Sequence, residues 1–366
     1  MEETKYICYI CGEELTDRNV IVFNGEYYCR DCLEDITVHC NHCGTLILRD
    51  EAISDSHYTL CHNCYNEYYT CCEDCGRIIS NDDCYYIGDY DDYPYCYSCY
   101  QEYQRYKGIH DYSYKPDPIF HGNGSRFFGV ELEVDYGGHL DDNAREVLEI
   151  ANETQEENLY IKHDGSLEDG FELVSHPMTL DYHKNIMPWK EIMKKLVQMG
   201  YTSHKTTTCG LHCHINRTAL GATHTDQEDT MGRILYFVEH NWGEMLRFSR
   251  RTEGQMQRWA ARYGMKSRPK ELMDDAKNNN YSRYRCINIQ NYNTIEFRMF
   301  RGTLKYNTFI ATLQLVNEIC NVALSMSDEE IQNLSWSEFV SRLNPDEHKE
   351  LITYLNERNI YESEVN

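Results

Sequence analysis

No apolar run in this sequence approaches the roughly eighteen residues that a membrane-spanning helix needs, so no membrane partner is expected. The opening residues, MEETKYICYICG, lack the basic start and apolar middle of a signal peptide, and a cytoplasmic protein is the expectation. Positive charge is scarce as well. Against 60 Asp and Glu there are 35 Lys and Arg, a formal charge of −25. A chain this acidic repels a phosphate backbone at long range, which argues against nucleic acid as a partner. Its 366 residues leave room for two or more domains with sizeable cores.

Cysteine, in contrast, is abundant: 18 in all, fourteen of them between Cys8 and Cys99. They fall into six CxxC pairs, Cys8/Cys11, Cys29/Cys32, Cys40/Cys43, Cys61/Cys64, Cys72/Cys75 and Cys96/Cys99, and the first pair of each unit recurs at 8, 40 and 72. Each unit runs from a knuckle (CYICG, CNHCG, CEDCG) through a hairpin-like stretch to a second CxxC that opens a short helical piece. Paired CxxC spacing without a signal peptide points to zinc rather than disulfides. Two CxxC turns supply the four thiolates of a tetrahedral site with no open position, so about three Zn²⁺ ions are expected in a structural role. Segments this short and polar need the metal for folding energy. Spacing alone leaves the pairing open: Cys29/Cys32 and Cys40/Cys43 could share an ion, and His39, His42, His57 or His62 could replace a thiolate. Cys71 and Cys84 are left over as spare or buried thiols. Residues 5 to 103 resemble LIM-type or treble-clef zinc fingers in tandem. That resemblance, together with the acidic, tyrosine-rich surface, implies binding to a protein or peptide. The expected organisation is fingers over 1–103 (repeats of about 5–36, 37–68 and 69–103), then a linker over 104–124, rich in Pro, Gly and Asp.

From residue 125 the pattern changes to short stretches that alternate polar and apolar residues, the mark of half-buried strands. FFGVELEVD (127–135) puts Glu131, Glu133 and Asp135 on one face; GLHCHINR (210–217) puts His212, His214 and Asn216 on one face; NTIEFRMFRG (293–302) does so for Glu296 and Arg298. HDGSLEDGFELVSHP (163–177) turns at DGS and continues as a strand that carries Glu172. One sheet would gather these acids, histidines and arginine on a single surface. Clustered carboxylates repel one another and need a cation to stay ionised together, and hard oxygen ligands suit Mg²⁺ or Mn²⁺. An arginine among them suits phosphate.

In their order, these four motifs resemble the amidoligase family, which belongs with the glutamine synthetase and glutamate–cysteine ligase fold of carboxylate–amine ligases. The resemblance spans about residues 125–325. It implies an α+β catalytic domain, an antiparallel glutamine synthetase-like sheet covered by helices, and a reaction that consumes ATP to join a carboxylate to an amine. It places Glu131, Glu133, Glu172, His212 and Glu296 as Mg²⁺ ligands and His214 and Asn216 near the nucleotide. Arg298 would face the transferred phosphate, and Glu296, Arg298 and His212 would form the catalytic set. Glu168 or Asp169 is a candidate for a further acid. Relatives of this fold complete sites between subunits, so a homo-oligomer stays open. Two other readings remain open on the residues alone: an interaction adaptor with a non-catalytic ligase-like domain, and a metal-dependent phosphoester hydrolase.

Helical spacing marks 187–199, 226–250 and 306–324, with Tyr306, Phe309, Leu313 and Leu315 expected in the core and Cys286 and Cys320 as buried, inert thiols. SRRTEGQMQRWAARYGMKSRPK (249–270) is a local basic run, read either as a solvated helix or as an anion-binding wall. Arg283, Arg285 and Arg301 are further candidates for nucleotide or carboxylate contact. Residues 326–366 should form a helical cap, with Ser-x-x-Glu starts at Ser327 and Ser335.

Overall fold

Each CxxCG knuckle is a turn that only glycine forms without strain. Gly12, Gly44 and Gly76 have φ of +75°, +75° and +69°, in the left-handed region, and each donates its N–H to the carbonyl of the first cysteine of its knuckle (2.9–3.0 Å). The computed structural model describes residues 5–87, 93–154, 156–278 and 282–361. Residues 1–4, 88–92 and 362–366, which belong to the expected finger and cap segments, lie outside the described residues. The chain forms two compact units, Met1–Tyr106 and Lys107–Asn366.

In the first unit the 32-residue period is a structural repeat. Hairpins Ile21–Phe23/Glu26–Tyr28, Ile53–Ser54/Thr59–Leu60 and Tyr85–Ile87/Tyr93–Tyr95 lead to helices Arg30–Ile36, His62–Tyr68 and Tyr97–Tyr106. At the first two helices a cysteine is the N-cap: Cys29 and Cys61 accept N–H bonds at Sγ from Cys32 and Cys64. The cores are tiny. One gathers Leu60 and Ile78 around Cys40 and Cys64, another Ile79 around Cys72, Cys96 and Cys99.

The second unit is built on a six-stranded antiparallel sheet. Its strands are β1 (Phe128–Val134), β2 (Leu159–Lys162), β3 (Phe171–Ser175), β4 (Gly210–Asn216), β5 (Ile287–Asn288) and β6 (Thr294–Arg301), in the spatial order β2-β3-β1-β4-β6-β5. Strict alternation sends Val130, Leu132, Val134, Leu173, Cys213, Ile215 and Phe297 to one side, all but fully buried. Helix Tyr306–Ser325 shares their core, with Phe309, Leu313, Leu315 and Cys320 buried. Tyr306 is only half-buried, because its hydroxyl reaches the Lys184 carbonyl (2.8 Å).

Three local features depart from the sequence pattern. The helical stretch expected over 226–250 is two helices, His224–His240 and Trp242–Ser249. They break at Asn241, whose side-chain amide takes the Phe237 carbonyl (3.0 Å). The segment expected as a linker over 104–124 is partly built into the second unit. Ile109 and His110 are buried, and backbone bonds join His110 to Ile161 and His163 to His110 (2.8 Å each), covering the edge strand β2. Beyond residue 326, capping boxes Ser327–Glu330 and Ser335–Glu338 start two helices whose Ile331, Trp336 and Phe339 enter the main core.

Candidate active site

The opposite face of the sheet is polar, and its register aligns the acids. Lys162 pairs with Glu172, Glu172 with Glu133, Glu131 with His212, His214 with Glu296, and Glu296 with Asn288. Between β4 and β6 the pairing slips. The step from Cys213 to Leu211 faces the longer step from Phe297 to Phe300, so β6 carries one extra residue beside His212. Such a bulge re-aims side chains, and Arg298 lies within it.

Two triads result. Ligand atoms of Glu131, His212 and Glu296 lie within 4.8 Å of one another, as do those of Glu133, Glu172 and His212. His212 belongs to both. Its Nδ1 is 3.0 Å from Glu131 and 3.7 Å from Glu296, and its Nε2 is 3.8 Å from Glu133. His214 Nε2 stands 3.1 Å from Glu131 and 4.0 Å from Glu296. Glu133, Glu172, His212 and Glu296 are each at most 5 % exposed.

Burying so many carboxylates is costly, and the neighbours only partly offset it. Burial, reinforced by Glu131, pushes Glu172 well above the usual carboxylate range, against the pull of Lys162 at 3.3 Å. Burial also raises Glu133, although His212 and the Gly210 N–H (2.5 Å) oppose it. For Glu131 and Glu296 burial is the largest influence but is overcome. His214 and His212 hold Glu131 well below the usual range, and His214, His212 and Arg298 lower Glu296. Arg298 contacts Glu296 directly, and Asn288 donates to it at 2.9 Å. The donor set is carboxylate and imidazole with no thiolate, which fits hard divalent cations such as Mg²⁺ or Mn²⁺.

Several expected site residues take other positions. Asp135, fully buried past the end of β1, accepts the backbone N–H groups of Glu168 and Asp169 (3.1 and 2.7 Å) and so holds a loop. Glu168 and Asp169 are exposed and belong to neither triad. Asn216 accepts the Phe127 N–H (2.8 Å) and donates to Ser125 and Thr218, so its amide is used locally. Arg285 donates to the Arg262 carbonyl (2.6 Å) and stacks on Tyr263. Arg283 binds the Tyr112 hydroxyl. Arg301 donates to the Thr206 carbonyl (3.1 Å) in a separate cleft. The basic run divides. Arg262, Lys266 and Arg268 pair with Glu239, Asp275 and Glu271, and Arg258 lies on Trp259, whereas Arg250 and Arg251 turn toward that cleft.

Sequence reasoning missed Lys162, Asn288 and Asp164, and marked Arg251 only as a member of the basic run 249–270. The first two are the lateral neighbours of Glu172 and Glu296 and become visible only once the register is known. Asp164, in the DGS turn, raises both Glu133 and Glu172 electrostatically. Arg251 arrives from a helix–helix junction, where Arg250 takes φ +63°. Its guanidinium comes within 2.9 Å, and the His212 ring within 2.7 Å, of where a Cβ on Gly210 would stand. A side chain at 210 would therefore collide with both.

In the first unit the cysteines form three tetrads, Cys8/11/29/32, Cys40/43/61/64 and Cys72/75/96/99, each with its sulfurs within 4.8 Å of one another. Sulfur–sulfur separations of 3.9, 3.9 and 3.8 Å match the ~3.8 Å edge of a tetrahedron with ~2.3 Å zinc–sulfur bonds. The pairing is within each repeat, and His39, His42, His57 and His62 lie outside the tetrads. N–H groups of Cys11 and Cys29 draw the Cys8 thiol down to about 6, whereas its bond with Cys29 and burial raise Cys32, as four crowded sulfurs without a cation would be expected to behave. Cys71 instead meets the Tyr65 hydroxyl (3.1 Å), and Cys84 donates to the Ser80 carbonyl (3.3 Å).

Residues 150–320 match the model of a family described as "Putative amidoligase enzyme". The match takes in β2 to β6 but starts after β1, which bears Glu131 and Glu133. No curated protein matches the chain. Among solved structures, the crystal structure of a bifunctional glutathione synthetase from Pasteurella multocida is similar with a TM-score of 0.36 and 12 % identity, over 64 % of this chain and 46 % of that one. The chain thus spans under half the length of that enzyme. Among the described residues no helix is long and apolar enough to cross a membrane.

Proposed function

We propose that the second unit is an ATP-dependent carboxylate–amine ligase and that the finger array recruits a protein or peptide partner to it. The observation that carries this reading is the pair of triads sharing His212 with Arg298 at their edge. The match to a family described as amidoligase enzymes supports it.

Glu131 and Glu296 would hold one Mg²⁺ and Glu133 and Glu172 a second, with His212, which stands in both triads, a ligand to one of them; when bound, such ions neutralise triphosphate charge. Arg298 has an unpartnered buried Nε and lies over Tyr284 (5.6 Å), which leaves guanidinium hydrogens for the phosphoryl group. A carboxylate oxygen of the acid attacks the γ-phosphorus, the bond to the β-phosphate oxygen breaks, and ADP leaves. The amine nitrogen then attacks the acyl carbon, inorganic phosphate leaves, and the surplus proton passes to solvent. Phosphorylation is needed because oxide is too poor a leaving group. His214 and His212 lower Glu131, which favours its charged, cation-binding form. On the fingers, Ile7, Tyr9 and Val22 are more than 60 % exposed, a surface suited to a protein partner.

The test combines zinc-loaded protein, Mg²⁺, ATP, pooled carboxylic acids and hydroxylamine as a surrogate amine. Hydroxamate that depends on ATP and is lost in Glu296→Ala is expected. Phosphoester hydrolysis without ATP consumption would move the assignment to a hydrolase, and absence of both activities would favour an adaptor.

A further inference from the structure

A cluster of positive charge in this acidic chain lies beside the carboxylate row, not within it. A cleft of about 470 Å³ is lined by Arg247, Arg250, Arg251, Arg301, Arg358 and His204. Among the described residues none of these five arginines forms an ion pair; the arginines that do are elsewhere in the chain. Four of these guanidinium groups, those of Arg250, Arg251, Arg301 and Arg358, are held by backbone carbonyls instead. Arg250 donates to Arg301 (2.6 Å) and Gly302, Arg301 to Thr206, and Arg358 to Arg247 (3.0 and 3.1 Å). Carbonyls orient a guanidinium without cancelling its charge. Arg251 is only 6 % exposed, donates to the Phe300 carbonyl at 3.3 Å, and has a buried Nε with no partner; the Nε of Arg301 is likewise unpartnered. Burial, then Arg250, Lys205 and Arg301, press His204 below the ordinary histidine range, while Glu133 of the row acts electrostatically on Arg251.

Clustered positive charge of this kind attracts an anion, whose binding would relieve the repulsion. The lining has one apolar side chain, Leu246, and no Phe, Tyr or Trp; its one ring is the His204 imidazole. A nucleotide seat needs a surface for the base, and the aromatic ring Tyr284 lies instead at Arg298. Arg251 links the cleft to the row, since its guanidinium and the His212 ring flank the same point on Gly210.

We propose that this cleft is the acid-substrate subsite, and that the substrate is a polycarboxylate, an acidic amino acid or the acidic end of a peptide. One carboxylate reaches the triads to react while the others are held by Arg247, Arg250, Arg301 and Arg358. This assignment rests on the ligase reading for its chemistry, but its binding component can be measured alone.

The experiment is calorimetry on the full, zinc-loaded chain without nucleotide. The probes are glutamylglutamate, glycylglycine and inorganic tripolyphosphate. Glutamylglutamate is expected to bind, glycylglycine not. Arg247→Gln and Arg358→Gln should each weaken glutamylglutamate at least tenfold, while Arg258→Gln, outside the cleft, should not. Arg247 is exposed, so its variant tests the cleft even if Arg358→Gln perturbs folding. Tripolyphosphate binding through these arginines without glutamylglutamate binding would make the cleft a phosphate seat and overturn the proposal. Equal affinity for both peptides, or no effect of either variant, would overturn it too. Binding that follows the arginines, with no ATP-dependent hydroxamate, would leave the cleft assignment and sink the ligase reading. Hydroxamate made as readily from acetate as from glutamylglutamate would do the reverse.

Discussion

The two units use converging ligands for opposite ends. In the fingers, four sulfurs meet in every tetrad, and the surrounding cores amount to a few side chains around Leu60, Ile78 and Ile79. In the second unit a continuous core under the sheet does the folding, and the triads of oxygen and nitrogen lie on the face the core does not need. Soft, fourfold ligands close a site, and hard, threefold ligands leave room for something else. The difference teaches where a metal's free energy would go: into the chain's own structure in one case, into a ligand's charge in the other.

The sharpest way to break this contrast is to remove zinc. Chelation, or Cys40→Ser, should unfold the affected repeat, because structural zinc contributes roughly 10 kcal/mol or more to such domains. The thermal transition of the second unit should not move. Circular dichroism and calorimetry on the full chain check both; joint melting would refute the division of labour.

On the other side, Glu296→Ala should lower ATP-dependent turnover by about 10³-fold, and Arg298→Lys by about 10²-fold, since Lys keeps the charge but loses the fork. Zinc content, measured by elemental analysis, should stay at three per chain in each.

A smaller effect concerns pH. Burial holds the Glu172 proton to higher pH than in the unfolded chain, so that group costs stability as pH rises above the ordinary glutamate range. A divalent cation relieves that cost. The rise in melting temperature on adding Mg²⁺ should therefore be larger at pH 8 than at pH 5, and scanning calorimetry at both values reads it. A constant rise would separate Glu172 from the metal.

Next, Gly44→Ala should cost about 1–2 kcal/mol, from the left-handed backbone at φ +75°, with open space where the methyl would go. It should appear as weaker zinc retention in the second repeat under chelator competition. Smallest of all, Cys84→Ser should leave zinc at three per chain and change stability by no more than ~0.5 kcal/mol, because its thiol lies outside the tetrads and a hydroxyl can also donate to the Ser80 carbonyl.

How much of this was legible depended on whether the information was local. The knuckles were, because CxxCG carries both the ligands and the glycine of its turn. The strand faces were, because alternation fixes a face before any partner is known. The register was not, and with it Lys162 and Asn288 stayed hidden. The bulge in β6 leaves only a faint mark in TIEFRMFRG, where the alternation breaks at the adjacent apolar pair Met299–Phe300. Asp135 shows the converse. It continues the pattern of Glu131 and Glu133, yet the strand ends one residue earlier and the loop claims it. Arg251 was visible only as part of a basic run whose members serve unrelated ends.

The shared position of His212 has one more consequence. A neutral imidazole has a single lone pair, so the ring can serve as ligand to one triad only, while its other nitrogen keeps a hydrogen. Two cations bound here would then be chemically unequal, one with mixed nitrogen and oxygen coordination, the other with oxygen alone. Choosing a tautomer of one side chain would decide which is which, and a titration with Mn²⁺ should resolve two affinities rather than one.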